Sequence, residues 1–117
     1  MKKTLVDLLI ERRIKEEKYF KDYLNYVRKI KKIATKLLGK VRVLVFGSVI
    51  KGQAEPGSDI DVLIISPKLK DSKKKSEIRA QIFKKGFGSP FEIHLVTPEE
   101  YQNWYRYFIK EDQIEIK

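Results

Sequence analysis

The apolar residues in the first third of the chain recur at helical spacing: Phe20, Tyr23, Leu24, Val27, Ile30, Ala34 and Leu37. Thr4 can cap the start of a helix, and Gly39 stands where a helix-ending glycine belongs. The pattern predicts one helix over residues 4–38. A straight helix of that length would span roughly 50 Å at 1.5 Å per residue. We therefore expect a break between Ile10 and Glu16, or an N-terminal arm that packs on another subunit.

Short apolar runs rich in β-branched residues follow this helix and predict a small sheet. Three strands are expected, at residues 41–46, 58–65 and 91–96. Residues 113–116 alternate between polar and apolar, which predicts a short edge strand. Residues 48–51 predict a short helical turn between the first two strands.

Two further helices are indicated by their capping residues. Asp71 or Ser72 can begin a helix that runs to about residue 85. The motif at residues 97–100, Thr-Pro-Glu-Glu, combines a cap, a first-turn proline and a capping box, and predicts a helix to about residue 109. Four aromatic residues of that helix follow helical spacing: Tyr101, Trp104, Tyr105 and Phe108. We expect this stripe in the core, and any exposed remainder would mark an interface.

The length of 117 residues suggests one domain, with a helical arm at residues 1–38 and a core at residues 39–117. The elements predict an α/β (α+β) fold, in which a small mixed β-sheet carries helices packed mainly on one face. The apolar runs are too short to span a membrane or to form a signal peptide, so we expect a cytoplasmic protein.

The cysteine and histidine counts restrict the chemistry. The chain has no cysteine and one histidine, which excludes disulfides, cysteine nucleophiles and multi-histidine zinc sites. Any metal site is therefore expected to use oxygen ligands, as Mg²⁺ or Mn²⁺ sites do.

The formal net charge is +10, which favours anionic partners but also fits the lysine-rich surfaces of thermophilic proteins. Residues 68–85 hold eight basic and two acidic side chains. They could guide an RNA toward a site, or form a solvated helix face.

Two aspartates share one face of the predicted strand at residues 58–65. Side chains alternate along a strand, so Asp59 and Asp61 point the same way, about 7 Å apart, while Ile60 faces the core. Paired carboxylates repel unless a cation or hydrogen-bond donors offset their charge. The pair therefore indicates a divalent-metal site, although Asp-x-Asp alone also occurs on solvated strand faces.

A glycine and a serine end the preceding strand. Gly47 permits close backbone approach, and Ser48, at the start of a helical turn, would offer N–H groups and a hydroxyl to phosphate oxygens. In isolation this dipeptide is more simply a strand-to-helix turn. Followed by the aspartate pair, it predicts a site for a nucleoside triphosphate with Mg²⁺.

The combination of Gly47-Ser48, ten intervening residues and Asp59-x-Asp61 resembles the signature of the DNA polymerase beta-like nucleotidyltransferase superfamily. The local sequence VLVFGSVIKGQAEPGSDIDVLII is similar to its minimal members, which are often paired with a HEPN-domain protein. The resemblance is specific over residues 41–65 and does not cover the N-terminal helix. It implies a palm-like fold and two metal ions, Mg²⁺ or alternatively Mn²⁺, held by the aspartates and a third carboxylate on a later strand.

The third carboxylate that the resemblance implies falls on the strand at residues 91–96. Glu92 is the expected residue, where the family more often has aspartate. His94 shares its face and could orient Glu92, bind substrate, act as the base, or simply be a hydrogen-bonded histidine of the sheet. By the same resemblance, Lys51 and Ser58 would join Gly47 and Ser48 in binding the nucleotide.

The resemblance implies transfer of a nucleoside monophosphate from a triphosphate, with ATP expected, to a hydroxyl of a macromolecule by a two-metal mechanism. The acceptor could be a tyrosine of a HEPN-type toxin, which would make the protein an antitoxin, or an RNA end. Two alternatives stay open: a catalytically weak module that binds nucleotide or a partner, and a charge-driven nucleic-acid binder. Self-association could use the N-terminal or C-terminal helix.

Overall fold

Two helices precede the sheet in the computed structural model, which describes residues 2–54, 57–109 and 112–117. Helix α1 spans Leu5–Lys21 and α2 spans Tyr23–Leu38. Thr4 caps α1 as predicted, because its hydroxyl accepts a hydrogen bond from the Asp7 N–H at 3.1 Å. Gly39 ends α2 with a φ of 77°.

The break between the two helices lies at Asp22, so its predicted position between Ile10 and Glu16 is wrong. Asp22 departs from helical geometry at φ −125° and ψ 33°, and its side chain accepts a hydrogen bond from the Asn25 amide at 2.7 Å. Short polar side chains of this kind bond locally and disfavour a helix interior. The periodicity did not reveal the break because apolar residues continue on both sides of it.

Four strands form one mixed sheet, in the order β3-β2-β1-β4. The strands are β1 at Arg42–Phe46, β2 at Ile60–Ile65, β3 at Phe91–Val96 and β4 at Gln113–Ile116. Strand β1 pairs antiparallel with β2 and β4, whereas β2 and β3 are parallel. The parallel connection is made by α3, at Ser72–Lys84, which Asp71 caps. The mixed sheet and the edge strand β4 confirm the predicted fold class.

One face of the sheet packs against α2 and α3, as expected. The apolar stripe of α2 and the buried residues of α3 meet the inward side chains of the strands, and these form the larger core: Val27, Ile30, Ala34, Leu38, Val43, Val45, Ile60, Val62, Ile64, Ile78, Ile82, Ile93 and Leu95. This face is buried and apolar, so a site that includes Asp61 must lie on the other face.

The C-terminal helical segment covers part of that other face. It consists of an α-helical turn at Pro98–Glu100, a π-helical segment at Tyr101–Tyr105 and an α-helical turn at Arg106–Ile109. It packs on a smaller core that includes Leu44, Leu63, Ile65 and Val96. The capping box of Thr97 and Glu100 is formed as predicted.

The aromatic stripe of this segment is only partly in the core. Tyr101 is buried and Tyr105 half-buried, but Trp104 and Phe108 are 63% and 69% exposed. A π-helical turn closes on the fifth residue, here through the Arg106 N–H and the Tyr101 carbonyl, and so holds more residues than an α-helical turn. Tyr101, Tyr105 and Ile109, which are four residues apart, therefore face the sheet. Trp104 and Phe108 do not face the sheet and are exposed.

Across residues 2–54, 57–109 and 112–117, no helix combines the length and the apolar character needed to cross a bilayer.

Candidate active site

The uncovered part of the second sheet face carries two neighbouring polar side chains from parallel strands. Asp61 on β2 is directly paired with Glu92 on β3. His94, two residues beyond Glu92, points to the same face because side chains alternate along a strand. The Nε2 atom of His94 lies 3.2 Å from Asp61 Oδ1 and 3.8 Å from Glu92 Oε1. The parallel pairing thus brings Asp61 of β2 together with Glu92 and His94 of β3.

The ligand atoms of Asp61, Glu92 and His94 all lie within 4.8 Å of one another. Two carboxylates and an imidazole are groups that bind divalent cations. The donor set therefore fits a divalent metal. It differs from the expectation of oxygen ligands alone, because the only histidine of the chain is one of the three. The single histidine in the sequence excludes a multi-histidine site, but it does not exclude a site with one nitrogen ligand.

Asp59 lies one residue before β2, since the strand begins at Ile60 and not at residue 58. Its side chain is exposed, and its carboxylate lies near enough to Glu92 to contribute to the raised pKa of that residue. Asp59 is therefore a neighbour of Glu92, but it is not one of the three residues whose ligand atoms lie within 4.8 Å of one another. All three expected acids lie at one end of the β2–β3 pair.

The pKa of Glu92 is raised from its ordinary value. Burial is the largest cause, because it disfavours the charged form; the charge of Asp61 and the hydrogen bond and charge of Asp59 add to the shift, while His94 opposes it. Half of the Glu92 side chain remains exposed, at 52%. A bound cation would favour the charged form of Glu92 and so oppose this shift.

Gly47 forms the wall beside Asp61. It has a φ of 89°, and a Cβ atom built there would overlap the Asp61 carboxylate oxygen Oδ2. Both the backbone conformation and the space favour glycine at this position. Gly47 therefore permits a close approach of the Asp61 carboxylate, and its predicted approach to phosphate stays a prediction.

The chain after Gly47 forms hydrogen-bonded turns. The Ile50 N–H donates to the Gly47 carbonyl at 3.1 Å, and the Gln53 N–H donates to the Ser48 carbonyl at 3.0 Å. The short helical turn predicted over residues 48–51 is thus present as hydrogen-bonded turns and not as a regular helix, so the interpretation of Ser48 as a helix N-terminus is wrong. The binding of phosphate by Gly47 and Ser48 stays a prediction that rests on the backbone N–H groups and hydroxyl of the turn.

A family-wide sequence pattern covers most of the chain. The model of the nucleotidyltransferase domain matches residues 27–116, from α2 to the end of β4. The chain belongs to the nucleotidyltransferase domain family. This confirms the resemblance that the Gly47-Ser48 and Asp59-x-Asp61 spacing suggested, and the protein is a transferase of this type. The match begins within α2 and leaves α1 outside it.

Two solved structures share the fold of this nucleotidyltransferase. A crystal structure assigned as a nucleotidyltransferase is 34% identical and has a TM-score of 0.67, covering 79% of this chain and 98% of that one. A second, from Sulfolobus solfataricus and with the same assignment, is 18% identical with a TM-score of 0.57, covering 91% and 83%; this likeness shows the fold alone. Among curated proteins, none matches the chain.

Two of the expected nucleotide contacts in this nucleotidyltransferase lie outside the acidic cluster. Lys51 is half-exposed and its Nζ lies 3.6 Å from Asp112 Oδ2, so it ties the turn to the chain just before β4. Ser58 is half-buried next to Asp59. The nucleotide-binding roles of both residues remain predictions. Lys51 would have to leave or share its pairing with Asp112 to reach a triphosphate.

Tyr105 is a residue of the site that the sequence assigned only to an aromatic stripe. Its hydroxyl lies 3.5 Å from His94 Nδ1, and the two rings meet edge to face at 5.8 Å. Phe46 flanks the histidine ring on the other side at 5.3 Å. The signal in the sequence was the helical spacing, but the π-helical turn decides which aromatic residue reaches His94.

A second depression lies beside α1. A cavity of about 850 Å³ is bordered by the C-terminal half of that helix and by Ala54 and Gly57 of the loop that leads to Asp59. Ile14 and Phe20 contribute apolar surface to it. Helix α1, all of whose residues the structure describes, buries none of them. The cavity therefore joins an unburied helix to the loop next to the acidic cluster.

Proposed function

We propose that the protein transfers a nucleoside monophosphate from a nucleoside triphosphate, with ATP expected, to a hydroxyl of a macromolecule by a two-metal mechanism. The observation that supports this most directly is the convergence of Asp61 and Glu92 on adjacent parallel strands, with Asp59 close enough to Glu92 to affect its pKa. Asp59, Asp61 and Glu92 would hold Mg²⁺ or Mn²⁺ ions. When bound, such ions would neutralise the triphosphate and lower the pKa of the acceptor hydroxyl.

In the proposed reaction the acceptor oxygen forms a bond to the α-phosphorus while the bond from that phosphorus to the oxygen bridging to the β-phosphate breaks. Pyrophosphate leaves with the electron pair of that bond. The turn at Gly47 and Ser48 would hold the triphosphate by its N–H groups, with Lys51 and Ser58 as additional contacts. Positioning and charge stabilisation supply most of the rate enhancement in phosphoryl transfer.

The proton of the acceptor hydroxyl needs a base, and Glu92 is the preferred one. Its carboxyl group faces the same space as Asp61 and His94, where an acceptor hydroxyl would lie beside the bound ions. His94 is the alternative base, since its Nε2 faces the same space. The convergence of Glu92 with Asp61 also supports turnover over the alternative of a module that only binds nucleotide or a partner.

The acceptor is proposed to be a protein that docks on α1. Six large apolar residues of this helix are at least half-exposed: Leu5, Val6, Leu8, Leu9, Ile10 and Ile14. Exposed apolar surface of this kind marks protein contacts, and the cavity beside Ile14 opens on the loop that leads to Asp59. A tyrosine hydroxyl of a HEPN-domain protein would suit this arrangement, and the transfer would then act as the antitoxin step.

An RNA acceptor is less well supported by the distribution of charge. A basic groove of about 420 Å³ on the outer side of α2 includes Arg28, Lys32 and Lys36. Helices α2 and α3 cover the face of the sheet opposite to Asp61, so these cations lie away from the acidic cluster. RNA held in that groove would not have its end delivered to the site.

Incubation with α-labelled triphosphates, Mg²⁺ or Mn²⁺, and the product of the neighbouring gene tests the proposal. We expect label to pass to the acceptor with one of the four nucleotides and to be abolished in the Asp59→Asn/Asp61→Asn double variant. Absence of transfer with every nucleotide and both metals, by a protein that binds triphosphate, would instead support a binding module. Binding that falls steeply with salt and is unchanged in the double variant would support a nucleic-acid binder.

A further inference from the structure

His94 lies where a metal held by Asp61 and Glu92 would meet a nitrogen ligand. Its Nε2 is 3.2 Å from Asp61 Oδ1, and all three ligand atoms fit within 4.8 Å. We propose that Asp61, Glu92 and His94 form a mixed nitrogen–oxygen site that takes a first-row transition-metal ion in preference to Mg²⁺. The inference rests on the proposed function, because the same carboxylates serve the transfer, and it names the ion for one metal position.

The ligand chemistry gives the preference its direction. Mg²⁺ keeps oxygen ligands and several waters in a near-ideal octahedron. An imidazole nitrogen raises the affinity for first-row transition metals, in the order Mn²⁺ < Fe²⁺ < Co²⁺ < Ni²⁺. A site in which His94 replaces one oxygen ligand is therefore expected to bind Mg²⁺ less tightly, and Mn²⁺ and the heavier first-row metals more tightly, than an all-oxygen site.

The surroundings of His94 hold its ring in the orientation that such a ligand requires. Phe46 and Tyr105 flank the ring, with centroid distances of 5.3 and 5.8 Å. The Tyr105 oxygen lies 3.5 Å from Nδ1, the outer limit of a hydrogen bond, and can accept a hydrogen bond from the Nδ1–H group when Nε2 is the free nitrogen. A metal-bound histidine usually donates its second ring N–H to such a partner, which fixes the free nitrogen toward the metal. Tyr105 is thus a positioning residue for Nε2.

The single histidine of the chain makes the proposal directly measurable. We would add Mn²⁺ to the nucleotide-free, untagged protein and record electron spin-echo envelope modulation. Because His94 is the only imidazole, nitrogen modulation from a coordinated imidazole can come from no other residue. We expect this modulation in the native protein and its loss in His94→Gln. Tyr105→Phe should keep the modulation but bind Mn²⁺ about 10-fold more weakly, because the partner of Nδ1 is lost.

The affinities of the two metals supply a second readout. In His94→Gln we expect Mn²⁺ binding to weaken by about 10-fold or more, with Mg²⁺ binding changed by less than about threefold, as ligand preference requires. Far-UV circular dichroism of each variant checks its fold. Absence of nitrogen modulation in the native protein would overturn the proposal without any variant, as would an equal loss of Mn²⁺ and Mg²⁺ binding in a folded His94→Gln.

These outcomes are separable from those of the proposed function. If imidazole coupling is absent but labelled nucleotide still passes to an acceptor, the mixed site is wrong and the transferase proposal stands. If the coupling is present and no transfer is detected, the metal site stands without the reaction. Neither measurement uses the other as its readout.

Discussion

Gly47 and Asp61 are in contact across the β1–β2 pair in a way that leaves no room for a side chain on the glycine. A Cβ atom at Gly47 would overlap Asp61 Oδ2, and the glycine φ of 89° disfavours other residues as well. The Asp61 carboxylate can therefore occupy its position only because Gly47 has no side chain. This relationship connects the first half of the family signature to the second.

Substituting Gly47 by alanine is expected to displace Asp61 and lower transferase activity by about 100-fold, the cost of a displacement of about 1 Å in an active site. Gly52→Ala is the matched control, because Gly52 also has a positive φ, of 67°, but no described atom lies within 4 Å of a Cβ built there. Both variants should lose about 1–2 kcal/mol of stability from backbone strain. Initial rates and thermal unfolding measure the two effects.

Equal activity losses in Gly47→Ala and Gly52→Ala would show that strain, and not the contact with Asp61, explains the defect.

Asp61→Asn is expected to reduce the transfer rate by about 10²–10³-fold, because the loss of a metal ligand removes several kcal/mol of charge stabilisation in the transition state. Asp59→Asn should have a similar effect. Glu77→Gln is the control, since Glu77 is ion-paired with Lys74 on the outer surface of α3. Pyrophosphate release measures all three variants. Near-native rates in Asp61→Asn would show that the acidic cluster does not take part in the transfer.

Glu92→Gln is expected to stabilise the metal-free protein at neutral pH. A carboxyl with a raised pKa binds protons more strongly when folded, so its favourable contribution exists at acid pH and is lost as pH rises from the ordinary value of 4.5 through the raised one. The ionised Glu92 then opposes folding. Because Glu92 is half-exposed, we expect the Tm of the variant at pH 7 to be higher by only about 2 °C.

Calorimetry in the presence of a chelator tests this shift. The difference in Tm between Glu92→Gln and the native protein should shrink as the pH is lowered toward 4.5, and added Mg²⁺ or Mn²⁺ should stabilise the native protein more than the variant. A native protein that is more stable than Glu92→Gln at pH 7 without metal contradicts the assigned cause.

Charge on the apolar face of α1 is expected to block the acceptor and spare the site. In Ile10→Glu/Ile14→Glu, transfer to the protein acceptor should fall by about 10-fold or more, the scale of losing one or two contact residues of an interface. Triphosphate and metal binding should be unchanged. Both residues are more than half-exposed, so the Tm should stay within a few degrees.

Lys15→Glu provides the control for this variant, because it changes the net charge of α1 by the same amount and leaves all of its apolar residues in place. Loss of transfer in both proteins would indicate an electrostatic effect of the whole helix and not docking on its apolar face.

Much of the site was predictable because it depends on short-range patterns. The spacing of Gly47-Ser48 and Asp59-x-Asp61 predicted the family and the candidate nucleotide and metal residues, and the period-two pattern of β3 put Glu92 and His94 on one face. Strand β3 and the capping box at Thr97 lie where the sequence predicts them.

The remaining features depend on contacts that no local pattern encodes. The π-helical turn decides that Tyr105 reaches His94 while Trp104 does not. The parallel register that pairs Asp61 with Glu92 is a property of the sheet as a whole. The alternation of apolar and polar residues predicts which face of the sheet a side chain lies on. It does not predict which residue lies beside it on the next strand.

The parallel pairing of β2 with β3 has a consequence for how the protein matures. Asp61 and Glu92 are far apart in sequence and become neighbours only after α3 has crossed over the sheet, and such long-range pairings form slowly. An unfolded chain therefore holds no preformed cluster. A cation that binds this cluster would stabilise the completed fold and shift the equilibrium toward it. Metal supply would then affect how much of the newly made protein stays folded as well as how fast it works.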